Sequence, residues 1–126
     1  MKEPLRYIAN AKETLKKSAI EDNRYLDKKY VKTACGIAYL GVLEAINEAL
    51  LAKGYVKKEL PKKVEEYEKA IKKNFVSQGN GKLLRHFGDL YEELHIAGYY
   101  RGDLHNTTAI KAIFKDAESF IGKLRQ

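Results

Sequence analysis

The chain has 126 residues, of which 44% are hydrophobic and 33% charged, with two prolines, no tryptophan and nine tyrosines. That length fits one domain spanning residues 1–126, able to bury about two thirds of its unfolded surface without disulfides or metal, and the composition excludes a disordered chain. The net charge of +7 permits contact with RNA or DNA phosphates, yet it arises from lysines interleaved with acids, as in KKELPKKVEEYEKAIKK, rather than from one basic block.

The first helix is predicted to start at Pro4, a residue suited to a first turn, and to run to about Ile20 with Leu5, Ile8, Ala9, Leu15 and Ala19 on one face. Glu21 to Leu26 form a polar connection, and Asp27 is placed to cap the next helix. That second helix, Asp27 to Gly54, is the organising element. Between Ala34 and Leu43 only Gly36 and Gly41 are not apolar, and Gly54 stands where a helix-ending glycine is expected. At helical spacing, Val31, Ala34, Cys35, Ala38, Tyr39, Val42, Leu43, Ala45, Ile46, Ala49 and Leu50 fill about half the circumference. Ile37, Leu40 and Leu51 fall on the polar side, which predicts a second contact there, from the fifth helix or a second copy of the chain. Two glycines inside a helix are tolerated more easily where a neighbouring backbone approaches closely, so tight packing is expected at Gly36 and Gly41.

Pro61 is expected to open a third helix carrying Val64, Tyr67, Ile71 and Phe75, with Glu65–Lys69 and Glu68–Lys72 as pairs on its charged face. Ser77 to Gly81 read as a turn. A fourth helix runs from Lys82 to about Tyr99 with Leu83, Leu84, Phe87, Leu90, Tyr91, Leu94 and Ala97 as its stripe. A fifth, capped at Asn106 or Thr107, runs to Leu124 and buries Ile110, Ile113, Phe114, Ala117, Ile121 and Leu124. No stretch alternates as strands do, so the fold class is all-α, an antiparallel up-and-down bundle of four main helices plus one.

Few residues carry recognisable chemistry. Cys35 lies on the apolar side of the central helix, reads as a small buried hydrophobe, and has no partner for an internal disulfide. Together with a start, MKEPLRYIAN, that lacks a secretory core, and apolar runs short of the roughly 20 residues of a membrane span, this places the protein in the cytoplasm, away from membranes. His86, Asp89 and Glu93 share one side of the fourth helix but have no second ligand-bearing helix, so no metal is assigned. Gly79 to Lys82 lack the length and the Ser or Thr of a phosphate-binding loop, and Arg101-Gly-Asp is a chance adhesion tripeptide. The densest polar and aromatic cluster is Tyr99, Tyr100, Arg101, Asp103 and His105, the first place to look for a bound ligand or nucleic acid.

The run from Tyr30 through Tyr39 to Ala45, YVKTACGIAYLGVLEA, followed by a fourth helix ending in Tyr99-Tyr100-Arg101, resembles HEPN-type helical bundles. Those bundles include the helical partners of small nucleotidyltransferases, and many are bacterial. The resemblance implies an RNA-directed role. Ribonucleases of the class place four to six residues between an Arg and a His, whereas Arg101 and His105 are separated by three, one of them an aspartate. Charge stabilisation by Arg101 and proton movement by His105 would require both side chains to aim at one point. With no Ser-His-Asp order, no paired carboxylates and no cofactor motif, the sequence predicts a binding module rather than an enzyme, a homodimer or a partner of another protein, with a HEPN-type nucleic-acid-binding or ribonuclease-like protein using Arg101 to His105 as the alternative.

Overall fold

The structure, a computed structural model, describes residues 3–75 and 81–125. The chain folds as an all-α bundle of five helices with one short hairpin: α1 (Pro4–Leu15), β1 (Ile20–Glu21), β2 (Arg24–Tyr25), α2 (Lys28–Ala52), α3 (Val64–Phe75), α4 (Lys82–Leu90) and α5 (Thr107–Leu124). The rod begun by α4 continues as a π-helix over Tyr91–Arg101, and a 3₁₀ turn at Lys57–Glu59 precedes α3. The predicted turn at Ser77–Gly81 lies outside the described residues apart from Gly81, which sits at φ +79 before α4.

α2 is the core around which the rest packs. Ala34, Cys35, Ala38, Val42, Ile46 and Leu50 are fully enclosed. By length and composition this helix is apolar enough to cross a membrane, with a mean hydropathy of 1.4, which the apolar run lengths alone did not suggest. Half of that window is buried inside the bundle, so the apolar character is spent on packing. Gly54, at φ +105, ends the helix as expected: its N–H donates to the Leu51 carbonyl and the Tyr55 N–H to that of Leu50, the paired bonds of a Schellman motif. Asp27 precedes the helix, but its side chain does not cap it. Its Oδ2 instead accepts the Ala19 N–H at 3.0 Å, while its own N–H donates to Ser18 Oγ, which fixes the entry from the hairpin.

That hairpin corrects the first predicted element. α1 stops at Leu15, and the chain then enters a hairpin in which Asp22 and Asn23 both take positive φ (52° and 62°), making a two-residue turn whose twist suits paired strands. Ile20 pairs with Tyr25 and Glu21 with Arg24. The face α1 buries is Pro4, Ile8, Ala11 and Leu15, near four-residue steps from the proline, while Leu5, Ala9 and Ala19 are exposed. The loop before α5 ties to the hairpin: the Tyr25 N–H donates to the His105 carbonyl at 2.9 Å and the Thr107 N–H to that of Asn23 at 3.0 Å. Asn106 caps α5, accepting the Ala109 N–H at 2.9 Å.

α3 starts three residues after Pro61. The chain leaves the 3₁₀ turn extended at Leu60, as a residue before proline prefers, and the helix is closed by Glu66, whose Oε1 accepts the Lys62 N–H at 2.7 Å. Neither Glu65–Lys69 nor Glu68–Lys72 closes among the ion pairs of the described residues; exposed i, i+4 pairs gain too little to be held in one geometry. α3 docks by Tyr67 Oη donating to Asn47 Oδ1 and by Asn74 Nδ2 donating to Tyr55 Oη.

Close approach depends on glycines. A Cβ at Gly41 would lie 2.7 Å from Tyr7 Cβ and 3.0 Å from the Pro4 carbonyl of α1; at Gly36, 2.8 Å from the Tyr99 ring; at Gly98, 2.6 Å from Cys35 Sγ. The second and third of these let α2 and the π-helix run antiparallel in near-backbone contact. Gly98→Ala is expected to overpack this seam and cost about 1–3 kcal/mol, whereas Gly88→Ala, with nothing within 4 Å, should add about 1 kcal/mol through helix propensity. Urea unfolding of the two variants measures both; equal effects would show that the seam tolerates a methyl group.

Candidate functional site

The π-helix determines which side chains line up on the seam. Its hydrogen bonds reach five residues back rather than four, so each turn is wider than in an α-helix and the buried positions differ from those of an α-helical wheel. Leu90, Leu94, Gly98 and Gly102 accordingly form one buried line. This differs from the predicted α-helical stripe, which had placed Ala97 rather than Gly98 on the core. The same four-residue step aligns Tyr91, His95 and Tyr99.

His95 stands at the centre of the resulting aromatic ladder. Its ring stacks on Tyr39 from α2 at 4.9 Å and 27°, and on Tyr99 at 5.9 Å and 12°, with Tyr91 at 5.4 Å and Tyr100 edge-on at 6.4 Å. Such geometries lie within the favourable range for aromatic pairs. One end of the ladder is inside: Tyr39 is 7% exposed, and burial first, then Tyr91, Tyr67 and Glu68, pushes its hydroxyl pKa upward. The other end is outside, with Tyr99 47% and Tyr100 72% exposed. Beneath the seam, burial raises the Cys35 thiol to about 12, so it stays protonated and inert.

The exposed end opens on a cleft of about 410 Å³ lined by Lys29, Lys32, Thr33, Tyr99 and Tyr100. Gly102, at φ +67, closes the π-helix, and a Cβ there would fall onto the Lys28 and Lys32 side chains, so the glycine lets both lysines lie across the helix end. Lys29 Nζ sits 5.0 Å from the Tyr30 ring centroid. The cleft therefore combines two exposed aromatic rings with cations from α2.

Of the residues predicted from sequence, Tyr99 and Tyr100 line this cleft, and Arg101 follows them, exposed, at the last position of the π-helix. Asp103 is exposed, and its N–H donates to the Ala97 carbonyl at 2.8 Å. His105 is half-buried, its carbonyl engaged by Tyr25. No hydrogen bond joins Arg101 to His105 among the described residues. Lys29, Lys32, Thr33, Tyr39, Tyr91 and His95 carry no motif that marks them for this site, although tyrosine, histidine and tyrosine at steps of four are a readable signal. On α2, Leu40 is 50% exposed one turn beyond Gly36, while Ile37 packs partly on the core and Leu51 is half-buried.

The second sequence cluster has a different character. The His86 ring lies edge-on to Phe120 at 5.3 Å, and burial first, then Lys123, holds its pKa down. Glu93 has its pKa raised by burial, then by Asp116 and Asp89. Among the described residues, no group of three or more His, Cys, Asp or Glu side chains is disposed to hold a metal.

The full chain, residues 1–126, matches the family model described as Domain of unknown function (DUF5618). A protein of unknown function from Dyadobacter fermentans is similar over 97% of this chain and 89% of its own, with 33% identity and a TM-score of 0.77. A crystal structure of a protein from Sulfolobus solfataricus shares the fold, with a TM-score of 0.71 at 20% identity over 98% of this chain and 94% of its own. A search of curated proteins finds no match.

The two buried titrations oppose each other. A histidine whose folded pKa is depressed loses stability as pH falls below the unfolded value of 6.5, because the unfolded chain takes the proton more readily. A carboxyl whose folded pKa is raised loses stability as pH rises from 4.5 through its folded pKa. His86→Gln should therefore lessen the fall in thermal midpoint below pH 6.5, and Glu93→Gln should raise the midpoint at pH 7 with a gain that vanishes near pH 4. Thermal scans from pH 4 to pH 8 check both; parallel curves for wild type and variants would contradict the assignment.

Proposed function

We propose, from the premise that this chain belongs to the DUF5618 family of domains of unknown function, that it is a cytoplasmic module that binds single-stranded RNA through the cleft between α2 and the π-helix. The observation that carries this reading is the pairing of two exposed stacking rings, Tyr99 and Tyr100, with Lys29 and Lys32 in one cleft. Every base offers a π-face, so a strand stacks on such rings without demanding a sequence, while lysines follow the phosphates. The net charge of +7 favours encounter with a polyanion. The sequence resemblance of Tyr30–Ala45 and Tyr99-Tyr100-Arg101 to HEPN-type bundles supports an RNA-directed role. Binding is preferred over cleavage because no hydrogen bond joins Arg101 to His105 among the described residues, and the His105 backbone is tied to the hairpin.

A second reading, self-association into a homodimer, is favoured by Leu40. This leucine is a large apolar side chain 50% exposed one turn beyond Gly36 on the central helix. A second copy of the chain seated on Leu40 would cover this side chain without disturbing the core.

Fluorescence anisotropy with a labelled oligouridylate at low salt is the test. Tyr100→Ala, at a position 72% exposed, should weaken binding roughly tenfold, within the range of about 1–3 kcal/mol per stacked base. Replacing Lys29 and Lys32 with Gln should lower the slope of log K against log salt by about 0.7 for each phosphate that is no longer neutralised. Absence of binding at low salt would defeat the RNA reading. Leu40→Glu should abolish any dimer seen by sedimentation equilibrium, and a wild-type chain that stays monomeric at high concentration would remove the second reading.

A further inference from the structure

A separate cleft of about 750 Å³ lies between α1 and α5, on elements that the RNA-binding face does not use. Its floor is apolar: Leu15 and Phe114 are 6% and 2% exposed, and the exposed Ala112 lines its edge. One end is formed by the hairpin residues Ile20 and Tyr25. The hairpin is held there by the Tyr25 bond to His105, by Asn23 Nδ2 donating to Thr108 Oγ1, and by the Thr107 hydroxyl on Asn23 Oδ1. Ile20 is nonetheless 58% exposed, so apolar surface faces the opening. Ser18, also lining the cleft, spends its hydroxyl internally: it donates to the Ala19 carbonyl and accepts the Asp27 N–H. The floor therefore offers a ligand apolar contact rather than hydrogen bonds.

The rim is cationic. Lys12 on α1 and Lys16 at its C-terminal cap stand one turn apart, as do Lys111 and Lys115 on α5. Like charges at that spacing destabilise a helix, and two such pairs flank one apolar floor. Glu118 is the one carboxylate among the lining residues and is taken by Lys12 at 3.0 Å; Lys16 pairs with Glu13 outside the lining. Both bridges are exposed and therefore weak. Lys111 and Lys115 take part in none of the ion pairs formed among the described residues.

We propose that this cleft binds a single-chain amphiphile with an anionic head, of the kind represented by a medium-chain carboxylate. The chain lies on Leu15, Ala112 and Phe114 against Ile20 and Tyr25, and the head meets Lys111 and Lys115. The volume falls in the range of small-ligand sites, about 300–1,000 Å³. A bilayer is a poorer match, because an interfacial surface projects its apolar side chains beyond the charged ones, whereas here Leu15 and Phe114 are recessed beneath the lysines. A partner helix is also a poorer match, because the hairpin blocks one end of the groove.

Titration of the isotope-labelled chain with sodium decanoate below its micelle concentration, followed by amide NMR, tests the proposal. Shifts are expected at Leu15, Ile20, Tyr25 and Phe114 and not at Tyr99 or Tyr100, which separates this site from the RNA-binding face. The double variant Lys111→Gln, Lys115→Gln changes only exposed side chains and should weaken decanoate binding at least tenfold. Decyltrimethylammonium, with the same tail and the opposite charge, should bind at least tenfold more weakly than decanoate. Equal binding of the two amphiphiles, shifts scattered over the surface, an unchanged affinity in the double variant, or recruitment to anionic phospholipid vesicles without a monomeric complex would each overturn the proposal.

Discussion

The structure depends on one close contact, the antiparallel seam between α2 and the π-helical end of the fourth rod. Gly98 admits Cys35 and Gly36 admits the Tyr99 ring, each at a separation that a methyl group would obstruct. Everything that distinguishes this bundle from a generic one follows from that approach. It draws Tyr39 and Tyr91 onto His95, leaves Tyr99 lying flat over α2, and carries Tyr100 and Arg101 out to the surface beside Lys29 and Lys32. The glycines weaken helix propensity by about 1 kcal/mol each, and the stacked rings and closely packed small side chains offset that loss.

The remaining helices are placed by the other sides of α2. Gly41 brings in α1 against Tyr7 and Pro4, and Asn47 anchors α3 through Tyr67. α5 closes the bundle: Arg125 reaches Glu3 of the α1 end at 3.0 Å and Glu48 of α2 at 3.2 Å, and these contacts raise its pKa, the Glu3 bond first. No buried side-chain polar atom of the described residues lacks a partner, so the packing is reached without stranded polar groups. A helix as apolar as α2 is explained by this arrangement, because neighbours occupy nearly every side of it. Leu40 is the large apolar residue on it that stays half-exposed.

The helices were legible from residues whose chemistry allows one answer. Pro4 fits a first turn, Gly54 supplies the positive φ of a helix end, Asn106 caps α5, and Ile110 to Leu124 repeat at helical steps. Elements set by longer-range geometry were not legible. The hairpin occupies four paired residues, too few for alternation to register, and its signal is confined to Asp22-Asn23. Asp27 has the right chemistry for a cap, but the turn from the hairpin brings the Ala19 N–H to it first. At the site, Tyr99 and Tyr100 were visible as exposed aromatics, whereas His95 was not. Its role shows only once the seam stacks its ring on Tyr39 and Tyr99. Lys29 and Lys32 were hidden for a related reason, since their relevance depends on which helix end the seam brings alongside them.

Two faces of unlike chemistry emerge from one small core. The first presents rings and cations in a shallow cleft, the second a recessed apolar floor under a cationic rim. The first rests on α2 being held closely enough to the fourth rod for the ladder to form, and that contact has a direct spectroscopic signature. Proton NMR of the chain should show the Gly36 α-protons shifted upfield by the ring current of Tyr99, with cross-relaxation to the Tyr99 ring protons. Gly36 α-protons at ordinary helical shifts, with no cross-peak to Tyr99, would contradict the account.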